Sequence, residues 1–108
     1  AAETIAEHTG AVVLLKGAGT VVTFAGRGTY INTTGNPGMA TGGSGDVLTG
    51  VIAAIAASGA DALDSARTGA FIHGMAGDIA AERQGQWGMT SVDIEEALPA
   101  AFKTIVGK

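Results

Sequence analysis

The stretch Gly35-Asn36-Pro37-Gly38-Met39-Ala40-Thr41-Gly42-Gly43-Ser44-Gly45-Asp46-Val47-Leu48-Thr49-Gly50 decides how the rest of the chain is read. It is a glycine-rich loop running into the start of a helix. From Ser44 onward Val47, Leu48, Val51, Ile52 and Ile55 fall on one helical face, and Gly59 is a natural stop. The first N–H groups of a helix have no partner inside it, and the dipole there favours negative charge. With no side chains at Gly42, Gly43 and Gly45, a phosphate can approach those donors. An aspartate in the same turn is an odd choice for plain phosphate binding, because it repels the ligand. Asp46 makes sense as a base that takes a proton from a hydroxyl attacking a phosphoryl group. The competing reading is that Ser44 or Asp46 merely caps the helix, since both residue types are common caps. Neither G-x-x-x-x-G-K-[ST] nor G-x-G-x-x-G occurs in the chain, so neither established phosphate loop applies.

Upstream, residues 1–8 read as the last turns of a helix stopped by Gly10. Ala11-Val12-Val13-Leu14-Leu15 is a continuous apolar run, expected for a strand of parallel type covered on both faces. Val21-Val22-Thr23-Phe24-Ala25 and Thr29-Tyr30-Ile31-Asn32-Thr33, split by Gly26-Arg27-Gly28, read as a hairpin. Downstream, Asp61 is placed to cap a long helix reaching about Gln84. Its face of Leu63, Ala66, Ala70, His73, Gly77 and Ala80 is made mostly of small residues, which predicts close approach to a neighbour and explains Gly69, Gly74 and Gly77 inside a helix. A loop around Trp87 follows. Thr90-Ser91-Val92-Asp93 then resembles a capping box, and Ile94, Leu98, Phe102 and Ile105 form a third apolar face, with Pro99 expected to break or kink that helix. The order is helix end, strand, hairpin and three helices. Opening midway through a helix, with so small a sheet, predicts that an upstream part is missing.

Composition narrows the function classes. The 18 glycines among 108 residues show no three-residue period, and 46% hydrophobic content favours a packed core over disorder. A net charge of −4 with six Lys plus Arg argues against nucleic acid as partner, which needs clustered cations. No apolar run is long enough to cross a bilayer, and no basic-then-apolar leader opens the chain. Without cysteine there is no disulfide framework, as expected of a cytoplasmic protein.

Gly43-Ser44-Gly45-Asp46 resembles the G-x-G-D anion-hole motif of ribokinase-like kinases. The run from Asn36 to Gly50 is similar to the signature of the ADP/ATP-dependent NAD(P)H-hydrate dehydratases within that superfamily. Leu15-Lys16-Gly17-Ala18-Gly19-Thr20, Asn32-Thr33-Thr34-Gly35 and His73-Gly74-Met75-Ala76-Gly77-Asp78 accompany it in the family's order. The resemblance implies an α/β fold, the C-terminal portion of one ribokinase-like, carbohydrate-kinase-like domain spanning 1–108, with the N-terminal half absent. It implies that Lys16, Gly17, Ala18, Gly19, Thr20 and Gly45 contact an adenine nucleotide. Gly43, Ser44, Gly45 and Asp46 would form the anion hole, and Asp46 would be both the catalytic base and the contact to the substrate hydroxyl. It implies ADP or ATP with magnesium as cofactors and hydrated NADH or NADPH as substrate. The partner is expected to be a second copy or the missing half. Two rivals stay open: a ribokinase-like kinase of a sugar or vitamin precursor, and a non-catalytic nucleotide-binding fragment.

Other polar residues have plainer readings. His73 is expected to be a satisfied core histidine, and His8 carries no signal. Asp61 and Asp64 are explained by a helix start and Asp78 has no acidic neighbour in sequence, so no metal site is assigned. Trp87 is expected in local packing or at a subunit contact.

Overall fold

The computed structural model describes residues 13–15, 21–23 and 29–106. The expected helix end at residues 1–8 and the Lys16 to Thr20 turn lie outside them. Three short strands, β1 (Val13–Leu15), β2 (Val21–Thr23) and β3 (Thr29–Ile31), form one sheet in the order β1-β2-β3. Both pairings are antiparallel, with Leu14 opposite Val22 and Val22 opposite Tyr30. The hairpin is as expected, and β1 joins it antiparallel through β2; the other edge of β1, where a parallel neighbour was expected, carries no strand among the described residues. The connection from Leu15 to Val21 is far too short for a parallel crossover, which needs a dozen or more residues.

Three helices follow: α1 (Ser44–Ala57), α2 (Ala62–Gln84) and α3 (Ser91–Val106). Their ends have local causes. Gly59, at φ 111°, follows α1. Asp61 caps α2, its carboxylate accepting from Asp64 N at 2.8 Å, and Gly85, at φ 76°, ends that helix. Thr90 N donates to Asp93 Oδ2 at 2.8 Å while Asp93 N reaches Thr90 Oγ1 at 3.5 Å, the reciprocal box expected from the sequence.

Helix α2 is the centre of the molecule, packed against α1, α3, β2 and a 3-10 turn at Pro37–Met39. Its six-residue face is buried, and so are Ser65, Ile72 and Ala76, because neighbours cover it on several sides. The main core joins Val51 of α1, Ile72, Ala76 and Ala80 of α2, Met89, and Ile94, Ala97 and Ala101 of α3. A smaller cluster joins Val22 to Leu63, Ala66 and Ala70, with Tyr30 against it, and seats the sheet on the first half of α2. The glycines work as their spacing predicted: a Cβ on Gly69 would lie 3.4 Å from Ile52 Cα, and closer still to its side chain.

Two expectations for α3 hold only in part. The helix continues through Pro99 to Val106 instead of breaking, held by its packing on α2. Its buried line is Ile94, Ala97 and Ala101, with Leu98 and Phe102 at the edge and Ile105 exposed, since the small alanines fit the small-residue surface of α2. Trp87 is fully exposed, so local packing does not explain it. Among the described residues, no helix is long and apolar enough to cross a membrane.

Candidate functional site

The glycine-rich loop leaves β3 and is fastened to α2 at once. Asn32 is buried and its Nδ2 donates to Ala70 O at 3.0 Å, while Tyr30 OH donates to its Oδ1 at 2.9 Å. Thr34 Oγ1 donates to Phe71 O at 2.9 Å. That approach to a helix backbone is open only because residue 74 is glycine, where a Cβ would sit 2.7 Å from the Thr34 carbonyl carbon. Next, Gly35 N donates to Asp78 Oδ2 at 3.0 Å and Asn36 Nδ2 to Asp78 Oδ1 at 2.9 Å. Asn36 Oδ1 accepts from Gly38 N at 3.0 Å and starts the 3-10 turn, with Pro37 in its first position. Met39 then lies against Gly77 and joins the main core. Thr41 N donates to Met39 O at 2.8 Å, and Ser44 N to Thr41 O at 3.2 Å.

Gly43 is the N-cap residue of α1 at φ 87°, a left-handed conformation that favours glycine. A Cβ there would lie 2.8 Å from Ser91 Oγ, so Gly43 is required by the backbone and by packing. Gly42 is different: a Cβ there would meet nothing within 4 Å, leaving the space a ligand would need. The side chains of Ser44 and Asp46 cap nothing. Ser44 is buried with Oγ 3.5 Å from His73 Nε2, and no described residue engages the Asp46 carboxylate. The amides of Gly43, Gly45 and Asp46 likewise have no described acceptor, whereas that of Ser44 is held by Thr41. The helix start therefore combines open donors, a favourable dipole and an exposed carboxylate. Asp46 also lines a groove of about 460 Å³ between α1 and α3, together with Val51, Leu98, Phe102 and Glu95.

Of the expected site residues, Gly43, Ser44, Gly45 and Asp46 come together on one turn, and Lys16, Gly17, Ala18, Gly19 and Thr20 lie outside the described residues. His73 is buried, as a core histidine should be, but it sits beside the anion-hole turn. Asp61 is the cap expected of it. The role of Asp78 in holding the loop was not read from the sequence. Its partners lie 42 and 43 positions away, and the only signal was the accompanying H-G-M-A-G-D run.

Comparison with known proteins agrees with this geometry. The chain matches the NAD(P)H-hydrate dehydratase family over residues 1–100. It is 50% identical over 105 residues to the bifunctional NAD(P)H-hydrate repair enzyme of Thermofilum pendens, covering 97% of this chain and 20% of that protein. It is 43% identical over 76 residues to the ADP-dependent (S)-NAD(P)H-hydrate dehydratase of Neisseria meningitidis serogroup B, covering 70% of this chain and 26% of that one. The ADP/ATP-dependent NAD(P)H-hydrate dehydratase of Bacillus subtilis, co-crystallised with ATP and Mg2+, superposes with a TM-score of 0.89 at 27% identity. That match covers 95% of this chain and 37% of the other. The chain thus spans about a fifth to a quarter of the curated relatives described above. The loop fastened to α2, the open helix start and a match over nearly every residue agree: this chain belongs to the NAD(P)H-hydrate dehydratase family.

Proposed function

We propose that this chain is the C-terminal portion of a ribokinase-like domain that dehydrates hydrated NADH or NADPH at the expense of ADP or ATP. The observation that carries the reading is the start of α1, where three amides without described acceptors stand beside the unengaged carboxylate of Asp46. Hydroxide is a poor leaving group and a phosphate ester a far better one. Asp46 takes the proton of the substrate's ring hydroxyl as its oxygen attacks the terminal phosphorus, and the nucleotide departs one phosphate shorter. Loss of inorganic phosphate and a ring proton then restores the double bond of NAD(P)H. The amides of Gly43, Gly45 and Asp46 stabilise charge on the transferring phosphate, and the Lys16 to Thr20 segment holds the rest of the nucleotide.

Among the described residues no three His, Cys, Asp or Glu side chains gather as a metal-binding group. The described carboxylates therefore do not fit a protein-built magnesium cage; magnesium would arrive on the nucleotide's phosphates.

Titrating ADP into the intact protein while following backbone amides tests the reading. Shifts are expected at both Gly19 and Gly45. Silence at both at millimolar ADP would overturn it.

A further inference from the structure

The H-G-M-A-G-D run of α2 does more than pack. His73 lies beside Ser44, Gly74 admits Thr34, Gly77 admits Met39, and Asp78 holds Gly35 and Asn36. One side of one helix thus touches the phosphate loop at four successive points, and three of those contacts are packing or a long polar approach. The fourth is directional. Each oxygen of the Asp78 carboxylate takes one donor, the Gly35 amide at 3.0 Å and Asn36 Nδ2 at 2.9 Å, and Asn36 passes the constraint on to Gly38 N at 3.0 Å.

We infer that Asp78 is a positioning residue for nucleotide binding, acting through Asn36 to set where the open amides of Gly43, Gly45 and Asp46 stand. This rests on the proposed nucleotide site and deepens it. An exposed ion pair would be too weak and too loosely oriented for such a task. Asp78 and both its bonds are exposed as well, but it differs because both its oxygens are used, and one donor is the backbone of Gly35, whose φ of 107° turns the chain out of β3. Its own backbone is fixed, since Ala76 and Ala80 on either side of it in α2 are almost wholly buried. From Asn36 the path to the site is short. Asn36 O accepts from Met39 N, Met39 O from Thr41 N, and Thr41 O from Ser44 N, the first residue of α1. A shift at Asn36 therefore reaches the helix start through three hydrogen bonds and no free linker.

The geometry offers a reciprocal test in the intact protein. Asp78→Asn keeps an acceptor for Gly35 but turns an amide against the Asn36 amide. Asn36→Asp keeps the acceptor for Gly38 but sets two carboxylates face to face. The double variant Asn36→Asp/Asp78→Asn restores every donor and acceptor with the charge moved across the pair. Each single change is expected to weaken ADP binding roughly tenfold, the scale of one lost charge-assisted bond. Amide exchange at Met39, Thr41 and Ser44, the hydrogen-bonded amides of that path, should quicken, and the double variant should return to within about threefold of the parent, most of the loss regained. Singles that bind ADP like the parent, or a double no better than the two losses combined, would overturn the inference. So would affinity falling only in step with melting temperature while those amides keep their exchange rates, because that marks plain stability. A parent that binds no ADP overturns the proposed function instead; amide exchange at the helix start then still decides whether Asp78 sets that turn.

Discussion

Asp46 is in the first turn of α1, where a carboxylate gains from the helix dipole without bonding to any described group. Asp46→Asn keeps size and polarity and removes the proposed base. In the intact enzyme kcat is expected to fall by about two to four orders of magnitude with ADP affinity little changed, which steady-state kinetics beside calorimetry would check. Retained turnover would remove Asp46 from the mechanism. The adjacent glycines separate two reasons for being glycine. Gly43→Ala must bear a left-handed φ and a contact with Ser91 Oγ, so the melting temperature should drop, with the backbone term alone costing about 1–2 kcal/mol. Gly42→Ala places its methyl in open space, so melting should be unchanged while ADP affinity falls roughly three- to tenfold, the scale of one impaired phosphate hydrogen bond. Equal ADP affinity in Gly42→Ala and the parent would show that the phosphate does not use that space. Helix start and loop were legible because their cues are adjacent in the chain. What sequence could not separate was which glycines face a ligand and which face Ser91 or Thr34, since those neighbours are 40 or more positions away.

Among elements, α2 shows how a helix with little apolar bulk can organise a fold. Its stability comes from close approach, with Ile52, Thr34 and Met39 seated where Gly69, Gly74 and Gly77 leave room. Gly74→Ala should gain helix propensity and still destabilise the protein by about 1–3 kcal/mol, because its methyl meets the Thr34 backbone, which cannot turn aside as a side-chain tip can. Denaturant melts would show it; an unchanged or raised midpoint would mean that the Asn32 to Gly35 segment moves freely. On α3 periodicity identified the helix but weighted the large residues, so Ile105 was placed inside and Ala97 and Ala101 were overlooked. A surface of small residues selects small partners, and a hydrophobic pattern read one helix at a time does not contain that. Pro99 was misjudged for a related reason: its local cost of about 3 kcal/mol is real, but burial of Ile94, Ala97 and Ala101 on both sides of it outweighs the cost.

At the scale of the whole molecule, the sheet is the unfinished part. Among the described residues β1 and β3 each carry a strand on one side only, and Ile31 is 62% exposed at the end of β3. Exposed strand edges pair readily with other chains, and a domain this small has little stability in reserve. Trp87 and Val92 add exposed apolar surface near the start of α3. The Bacillus subtilis enzyme that superposes on nearly all of this chain has well over half of its own chain outside the match. We propose that corresponding strands meet the open edges here, or that a second copy does. The 108-residue chain alone is then expected to associate, its sedimentation coefficient rising with concentration across the micromolar range, and addition of the remaining part of the domain should suppress that self-association. A cooperative, concentration-independent monomer would show that three strands on the face of α2 suffice, and that the open edges need no partner.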